Sequence, residues 1–489
     1  MKRAITNFDT HRNDYWRTAT VPINNKNKQM NAIAQKLIII GLFFLAISNI
    51  SAQGYKLPEY TSFKLPNGLT VYLMEQHDVP VISVSAVLPA GAIYDNDKAG
   101  LAFLTAKALK HGTKNYSKIK LDEEIDFIGA NISTDATKEF ASLSSKFATK
   151  DKDKVLTIIK EIMLDPVFDA QEFEKEKSRL LVGLEQQKES PRAVIGNYFD
   201  KLLYGNHVYG NTIQGDLSSI GKLTVQDIKS FYNTNYKPNQ AAISIVGDFS
   251  SKEMKRKLTA LFSNWKKSEN IIENPALKNI ASLSENKVLL INKDDAKETT
   301  FYIGAPGISR NNPDFVAIEV INTLFGGRFT SMLNDELRVN TGLTYGANSR
   351  FNTLKNGGSF VISTFTASKT TEAAIDKSLE VLNKLHTNGI DEKSLTSAKN
   401  YVKGQFPPRY ETTNQLANLL TQMFWYNFDA SFIENFEKNV DSLNLEKATQ
   451  IISQYFPKNN FQFVLVGKAA DIKKIAEKYG EVTEVNIKD

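Results

Sequence analysis

The chain has 489 residues, more than one hydrophobic core usually supports, and the composition of an ordinary globular protein. Its formal charge is +6, but residues 1–52 carry seven basic groups against two acidic ones, so the remainder is close to +1 and gives no argument for a nucleic-acid partner or an anionic surface. Cysteine is absent, which excludes a disulfide framework, a thiolate metal site and a lipoprotein cysteine.

The first element is an apolar run, LIIIGLFFLAI, from Leu37 to Ile47. Eleven residues of helix rise too little to cross a bilayer core of about 30 Å. The run instead has the form of the apolar region of a secretory signal, with the small residues Ser51 and Ala52 at its cleavage point. We therefore expect residues 1–52 to be a signal peptide and the mature protein to be periplasmic, with no stable membrane span. Met30 is an alternative start, and a buried core helix is the competing interpretation of the run.

Strand patterns come next in the chain, followed by helical ones. SFKLPNGLTVYLME predicts a hairpin with Asn67-Gly68 at its turn, and VISVSAVLPAG, NKVLLIN and TTFYIGAPG predict further strands. MFWYNFD, Met423 to Asp429, is interpreted as a cluster of core aromatic residues. Apolar periodicity predicts helices around Gly100 to Leu109, Lys152 to Met163, Ala170 to Lys188, Asp314 to Leu324, Thr371 to Leu385 and Glu392 to Gly404.

The chain contains two copies of one pattern. LTVQDIKSFYNTNYKPNQAAISIVGD, from Leu223 to Asp248, aligns without gaps with LNLEKATQIISQYFPKNNFQFVLVGK, from Leu443 to Lys468, at a constant offset of 220 residues. Antiparallel strands with segregated helices indicate an α+β fold in which helices pack on one face of each sheet. We therefore predict two tandem homologous α+β domains. The predicted parts are residues 53–265, a linker at 266–284, and residues 285–489.

The stretch GLAFLTAKALKHGT, Gly100 to Thr113, carries the first resemblance to a known family. Together with NGLTVYLME, LYGNHVYGNTIQGD and YKPNQAAISIVGD, it resembles the pitrilysin/insulinase family of zinc peptidases, most closely the two-domain bacterial members. The resemblance covers nearly the whole mature chain and implies the fold of mitochondrial processing peptidase. In that family the stretch reads GLAHFLEHMLFKGT and carries an inverted zinc motif, H-x-x-E-H, whose histidines share one helix face.

In this chain the motif positions hold other residues. Phe103 and Lys107 occupy the two histidine positions, and Ala106 occupies the glutamate position. Phenylalanine has no lone pair to donate, alanine is no base, and an ammonium group repels a divalent cation. The third ligand of the family, a glutamate in a later helix, falls on Gly183. The resemblance therefore implies a degenerate zinc site in the first domain, with no metal and no cofactor bound by this chain.

The histidines elsewhere in the chain do not rebuild the pair. None lies within four residues of another, and His111 and His207 are interpreted as solvated or structural. The five histidines are His11, His77, His111, His207 and His386.

The second domain keeps a different block. FGGRFTSMLNDELRVNTGLTYGANSRF, Phe325 to Phe351, resembles a family segment in which an arginine and a tyrosine seven residues apart reach the substrate. Those positions are Arg338 and Tyr345 here. A guanidinium and a phenol can hold a substrate carbonyl and stabilise an oxyanion. In the competing interpretation Arg338 is a C-terminal helix charge and Tyr345 an ordinary strand aromatic.

The loss of one half of the site and the retention of the other lead to a functional expectation. The resemblance implies the non-metal-binding subunit of a periplasmic heterodimeric zinc peptidase, a metalloendopeptidase homologue that is inactive alone. A partner subunit with the H-x-x-E-H motif would supply zinc, general base and water, and the pair would cleave a peptide substrate. The alternatives are an inert binding or scaffold homologue, a homodimer included, and zinc binding at an unrecognised site.

Overall fold

The computed structural model describes residues 55–278 and 280–488. The expected signal peptide and the alternative start at Met30 lie outside the described residues. Within the described ranges, no helix combines the length and the apolar character that a membrane crossing needs.

Twelve strands in the described part of the chain form two six-stranded sheets, one in each half. The order of the first sheet is β1-β2-β6-β3-β5-β4 and that of the second is β12-β7-β11-β8-β10-β9, with antiparallel neighbours except at β2/β6, β7/β11 and β7/β12. The first six strands are β1 (Thr61–Lys64), β2 (Thr70–Glu75), β3 (Val81–Leu88), β4 (Asn131–Ala136), β5 (Ala141–Ala148) and β6 (Ala242–Gly247). The others are β7 (Lys287–Asn292), β8 (Glu298–Pro306), β9 (Ala347–Leu354), β10 (Gly357–Ala367), β11 (Gln462–Gly467) and β12 (Glu481–Asn486).

The helices of the described residues include the six that apolar periodicity predicts, each within three residues at either end. Those of the first half are α1 (Leu101–Ala108), α2 (Lys118–Ile128), α3 (Lys152–Leu164), α4 (Ala170–Gln187), α5 (Pro191–Tyr204), α6 (Leu217–Lys222), α7 (Val225–Asn235) and α8 (Ser251–Phe262). Those of the second half are α9 (Phe315–Asn322), α10 (Met332–Asn334), α11 (Thr371–Asn388), α12 (Glu392–Gln405), α13 (Thr413–Tyr426), α14 (Ala430–Glu434), α15 (Phe436–Asp441), α16 (Leu445–Tyr455) and α17 (Ala469–Ala476).

The internal repeat is also confirmed by the structure. The helix and strand of the first copy, α7 and β6, recur as α16 and β11 with every boundary displaced by 220 residues. The Asn67-Gly68 turn joins β1 to β2 as predicted, and Gly68 has a φ of +91° that favours glycine. The fold is therefore two tandem α+β units, as the sequence predicts.

Each sheet packs on helices of its own half with one face and receives one helix of the other half on the opposite face. On the first sheet, the side chains of Ile82 and Val84 point into a core formed with first-half helices. The alternate side chains of β3 and β6 meet α13, which belongs to the second half. There the buried hydroxyl of Ser244 donates to the carbonyl of Ala417 at 2.7 Å, and Ser85 bonds Thr421 at 3.0 Å.

The aromatic segment MFWYNFD overlaps the end of α13. Met423 and Trp425 are buried, and Trp425 packs against Val87 and Ala242 of the first sheet. The interpretation of this segment as core is confirmed for these two residues. Their core is shared between the halves, because a second-half side chain fills a first-half sheet face.

Helix α5 makes the reciprocal contact on the second sheet. Its Val194 and Phe199 are buried in one cluster with Val361 and Val464 of that sheet. Gly304 makes this approach possible, because a Cβ at this position would stand 2.5 Å from Cζ of Phe199. The two halves are thus held together by an exchange of helices.

A buried carboxylate joins the halves at the turns of two hairpins. Glu139, between β4 and β5, accepts from the hydroxyl of Tyr209 at 2.6 Å and from the amide of Lys355, between β9 and β10, at 3.0 Å. Tyr209 in turn accepts from the amide of Asn356 at 3.1 Å. Burial raises the pKa of Glu139, and the donated hydrogen bonds oppose that rise.

We predict that Gly304→Ala destabilises the protein. The added Cβ would stand 2.3 Å from the carbonyl oxygen of Phe360 in the neighbouring strand, so backbone must move and overpacking of about 1–3 kcal/mol is expected in the free energy of unfolding. The matched control is Gly196→Ala in α5, where nothing lies within 4 Å of the new Cβ and helix propensity gives about 0.5–1 kcal/mol of stabilisation. Urea unfolding of the full chain measures both. Equal effects of the two substitutions would contradict the close packing of α5 on β8.

Candidate functional site

Helix α1 carries the positions that correspond to the zinc motif. Its start is fixed by Asp95, whose carboxylate accepts from the amide of Gly100 at 2.8 Å and from that of Ala102 at 2.7 Å. Gly100 has a φ of +88°, and a Cβ there would stand 2.4 Å from Cδ1 of Ile220. The glycine that opens the motif frame is therefore required by the local geometry even though the ligands are absent.

Phe103 and Lys107 share one face of α1, as their spacing predicts, and they contact each other. The ammonium of Lys107 lies 4.9 Å from the centre of the Phe103 ring, a cation–π distance. Ala106 is fully buried in the first-half core. On α4, Gly183 leaves open space, with nothing within 4 Å of a Cβ position. These four residues do not fit a zinc ion, since they provide a ring, a methyl group, a cation and no side chain.

Two lysines cover the adjacent sheet edge. β4 is the last strand of the first sheet. Lys107 donates to the carbonyl of Thr134 at 3.3 Å, and Lys110, just after α1, donates to that of Ile132 at 2.7 Å. Lys107 also pairs with Asp135 at 3.2 Å. The residue that replaces the second histidine therefore occupies backbone acceptors of the edge strand.

No group of three or more His, Asp or Glu side chains in residues 55–278 and 280–488 is arranged to hold a metal ion. His111 is 4% exposed, so of its two proposed roles, solvated and structural, the structure supports the structural one. Burial lowers the pKa of His111, against the attraction of Glu176 and Glu172. His207 is structural too, as it accepts from the amide of Tyr209 at 3.1 Å.

The second half contains a cleft that holds both Arg338 and Tyr345. Its volume is about 640 Å³, and it is bounded by β8, β9 and β10, by two π-helical turns and by the start of α5. None of the four degenerate zinc positions lines it. The lining residues are Arg192, Thr300, Tyr302, Gly326, Gly327, Arg328, Phe329, Asn334, Arg338, Tyr345, Gly346, Ala347, Asn348, Arg350, Ser363, Thr364, Phe365 and Tyr401.

Arg338 is positioned by the π-helical turn Asp335–Asn340. The carbonyl of the buried Leu337 accepts from the amides of Leu343 at 2.8 Å and Thr344 at 3.2 Å, which folds the following loop back onto the turn. Arg338 is exposed and lies over the ring of Phe329 at 4.7 Å. Short π-helical segments occur often at functional sites.

Tyr345 is held by the loop between this turn and β9. Thr364 of β10 donates to the carbonyl of Gly346 at 2.8 Å and to the hydroxyl of Thr344 at 3.0 Å. Buried Asn334 accepts from the amide of Ala347 at 3.1 Å. Tyr345 itself is 80% exposed and precedes β9, so it is not an ordinary strand aromatic.

The glycine pair of the motif allows the first π-helical turn, Thr323–Gly327, to lie against β9. A Cβ at Gly326 would stand 2.5 Å from the amide nitrogen of Ser349. Asn322 completes this junction, donating to the carbonyl of Ser349 at 3.1 Å and accepting from its hydroxyl at 2.7 Å. The wall of the cleft is therefore built from the motif residues.

The hydrogen-bond donors of the Arg338 and Tyr345 side chains are unpaired. Within the described ranges, the guanidinium of Arg338 makes a ring contact with Phe329 but no hydrogen bond or ion pair, and the hydroxyl of Tyr345 has no hydrogen-bond partner. The Tyr345 ring stacks at 6.5 Å on that of Phe365. Both donors are free to bind a group from outside the chain.

Three further arginines on the cleft are absent from the sequence-based candidates. Arg328 and Arg350 both lie inside the quoted block Phe325 to Phe351 and could have been found there. Arg192 belongs to the first half, and its guanidinium reaches the cleft at 3.6 Å from the Phe365 ring only because α5 is exchanged onto the second sheet. No local signal marks it.

The chain has two tandem α+β units, and its helix α1 lacks the zinc ligands of the family motif. These features define a homologue of the two-domain metallopeptidases. Residues 70–217 match the model for insulinase, peptidase family M16, and residues 222–402 match the model for the peptidase M16 inactive domain. The chain therefore belongs to the insulinase family.

Two known proteins similar to this chain carry contrasting names. A Helicobacter pylori protein named non-peptidase homolog YmxG is 25% identical over 88% of this chain and 98% of its own length. A Bacillus subtilis protein named uncharacterized zinc protease YmxG is 20% identical over 80% of this chain and 94% of its own. A crystal structure of a peptidase M16 inactive domain from Pseudomonas fluorescens shares the fold, with a TM-score of 0.78, 24% identity and coverage of 84% of this chain and 98% of that one.

The lowered pKa of His111 predicts a loss of stability in acid. The folded protein disfavours the protonated imidazole, so the stabilisation is complete above the unfolded pKa of about 6.5 and is lost as pH falls below it. Urea midpoints of the full chain between pH 8 and pH 5 should fall more steeply for the wild type than for His111→Leu. His77→Gln is a control with the opposite expected sign. Hydrogen bonds to Asp248 and Glu75 raise the pKa of that exposed histidine. Parallel curves for wild type and His111→Leu would contradict the assignment.

Proposed function

We propose that this chain is the non-metal-binding subunit of a heterodimeric zinc peptidase and that it is exported to the periplasm. In this role Arg338 and Tyr345 bind the peptide substrate, and a partner with the H-x-x-E-H motif supplies the zinc. The observation that carries the proposal is that both side chains line one cleft with unpaired donors. The zinc positions of the same chain hold residues that cannot bind a cation.

The chemistry of the two side chains suits a peptide carbonyl. A guanidinium and a phenol aimed at one oxygen can bind it as a carbonyl and bind it more strongly once it gains negative charge. Their backbone is fixed before substrate arrives, through the contacts of Leu337 and Thr364 with the intervening loop. Donors that are already in place need no reorganisation during the reaction.

Exposed apolar side chains beside the cleft support a partner subunit. Phe329 is 65% exposed, Val339 67% and Tyr401 43%, next to the 80% exposed Tyr345. Such residues grouped around a polar cleft are typical of protein–protein contact sites. A partner that covers them would close the cleft from the solvent side and place its own residues opposite Arg338.

The β4 edge of the first sheet, beside the degenerate zinc positions, is partly occupied. Extended peptides bind to sheet edges through main-chain hydrogen bonds. On β4, the carbonyls of Ile132 and Thr134 already accept from Lys110 and Lys107. This occupancy favours the second-half cleft as the place of the substrate.

The proposal of export rests on the apolar run at Leu37 to Ile47.

We predict that Arg338→Ala lowers kcat of the assembled complex by about 10²- to 10³-fold and Tyr345→Phe by about tenfold or more, since each removes a donor to the developing oxyanion. The complex is the full chain co-expressed with an H-x-x-E-H homologue, assayed on a quenched fluorescent peptide. Arg256→Ala, an exposed arginine on α8, is the matched control. Unchanged kcat in both site variants would establish the alternative, an inert scaffold.

Metal content gives a second, independent prediction. The purified chain alone should contain far less than one zinc per molecule and show no peptidase activity that a chelator removes, because its motif positions hold Phe103, Ala106 and Lys107. The complex should contain one zinc, and that zinc should co-purify with the partner after the subunits are separated. Stoichiometric zinc on this chain would contradict the proposal.

A further inference from the structure

The cleft around Arg338 and Tyr345 has an unusual charge. Among the described residues that line it there are four arginines and no acidic side chain. Outside residues 1–52 the whole chain carries only about +1, so four cations without a lining carboxylate are a local excess of positive charge. The four arginines are Arg192, Arg328, Arg338 and Arg350.

Aromatic rings hold these arginines in place. The guanidinium of Arg192 lies 3.6 Å from the centre of the Phe365 ring, and that of Arg350 lies 5.3 Å from the centre of the Tyr302 ring. Stacking of this kind fixes the plane of a guanidinium without neutralising its charge. The arginines are therefore ordered before any ligand binds.

The polar partners of three of the four arginines leave their charge uncompensated. Arg328 donates to the carbonyl of Thr330 and the hydroxyl of Ser397, and Arg350 donates to Asn352 and Tyr302, all neutral groups. The one carboxylate paired with any of the four in the described structure is that of Glu298, 4.0 Å from Arg192 and 54% exposed.

Some arginines and lysines elsewhere in the described ranges have close carboxylate partners. Arg409 lies 2.6 Å from Glu319, and Lys293 lies 2.9 Å from Glu189. Four like charges in one cleft raise one another's energy, and an anionic ligand would relieve that repulsion. A ligand that carries carboxylates therefore suits this cleft.

We propose that the cleft selects acidic peptides. In this arrangement, Arg338 and Tyr345 bind the backbone, and Arg192 and Arg350 pair with aspartate or glutamate side chains of the same segment. All four cations are arginine, whose planar fork matches a carboxylate with two parallel hydrogen bonds. The inference rests on the proposed function, because it assigns a substrate class to the same cleft.

A nucleic acid fits these observations less well. Phosphate backbones are held by basic tracks that extend over many charges. Here the group without lining carboxylates is four arginines on one cleft, in a chain that carries about +1 outside residues 1–52. Acidic peptide is therefore the ligand class that the charge distribution favours.

The test compares three labelled peptides of about ten residues that are blocked at both ends and differ only in carrying glutamate, glutamine or lysine at the same positions. Fluorescence anisotropy with the full chain gives each Kd. We expect the glutamate peptide to bind about tenfold tighter than the glutamine peptide at low salt and the lysine peptide to bind weakest. The preference should shrink as the salt concentration rises.

Two variants locate the selectivity. Arg192→Gln and Arg350→Gln should each reduce the preference for glutamate by about threefold or more and leave Kd for the glutamine peptide nearly unchanged. Arg256→Gln removes the same charge from the exposed face of α8 and should leave the preference intact. If Arg256→Gln also loses the preference, the effect comes from the overall charge of the chain, and the inference is overturned.

The remaining outcomes separate this inference from the proposed function. Equal Kd values for the glutamate and glutamine peptides, or no binding of either, would overturn acidic selection, and the kcat test of Arg338 and Tyr345 would still stand. Displacement of the glutamate peptide by an equal concentration of a single-stranded oligonucleotide would overturn it in favour of nucleic acid. If the glutamate peptide is preferred but kcat of the Arg338→Ala complex is unchanged, the proposed function is overturned and acidic selection stands.

Discussion

The exchange of α5 and α13 between the two sheets is the contact on which the rest of the structure depends. Each helix leaves its own half and buries side chains against the sheet of the other, Phe199 over Gly304 in one direction and Trp425 beside Val87 in the other. Besides the core of each half, the duplicated units therefore share buried clusters between them. The cleft inherits this arrangement, because Arg192 at the start of α5 is the first-half residue in a wall otherwise built from the second half.

The two halves have diverged in how they treat charge. In the first, Lys107 is satisfied internally, by a ring, a carbonyl and a carboxylate. In the second, Arg338 is left exposed and unpaired among other arginines. The helix and strand of the repeat recur at a fixed offset of 220 residues, but the halves differ in other helices and in one edge strand, β1 against β12, as well as in the side chains that carry charge. One unit has become self-contained, and the other still presents groups that need a ligand.

Local patterns in the sequence were sufficient for many of the elements and for the motif positions. Apolar periodicity located six of the helices within three residues, and the Asn67-Gly68 turn and the 220-residue repeat are where the sequence places them. Long-range packing was not accessible in this way. The alternation of Ser83 and Ser85 with apolar residues is typical of a solvent-facing strand surface, yet both serines are buried beneath α13. The sequence did not identify Arg192 as a cleft residue for the same reason, since nothing near Pro191 indicates which sheet its helix covers.

The Glu139 bridge has a consequence for movement. Through the Lys355 amide, Glu139 binds the turn between β9 and β10 to the first half. This turn lies at the far end of the hairpin that borders the cleft. The bridge acts in addition to the two exchanged helices. Swinging the halves apart as on a hinge would expose a buried carboxylate and withdraw two helices from their sheets. In the proposed heterodimer, admission and release of a long substrate would then depend on separation of the subunits, and the lifetime of the assembly would set the pace of turnover.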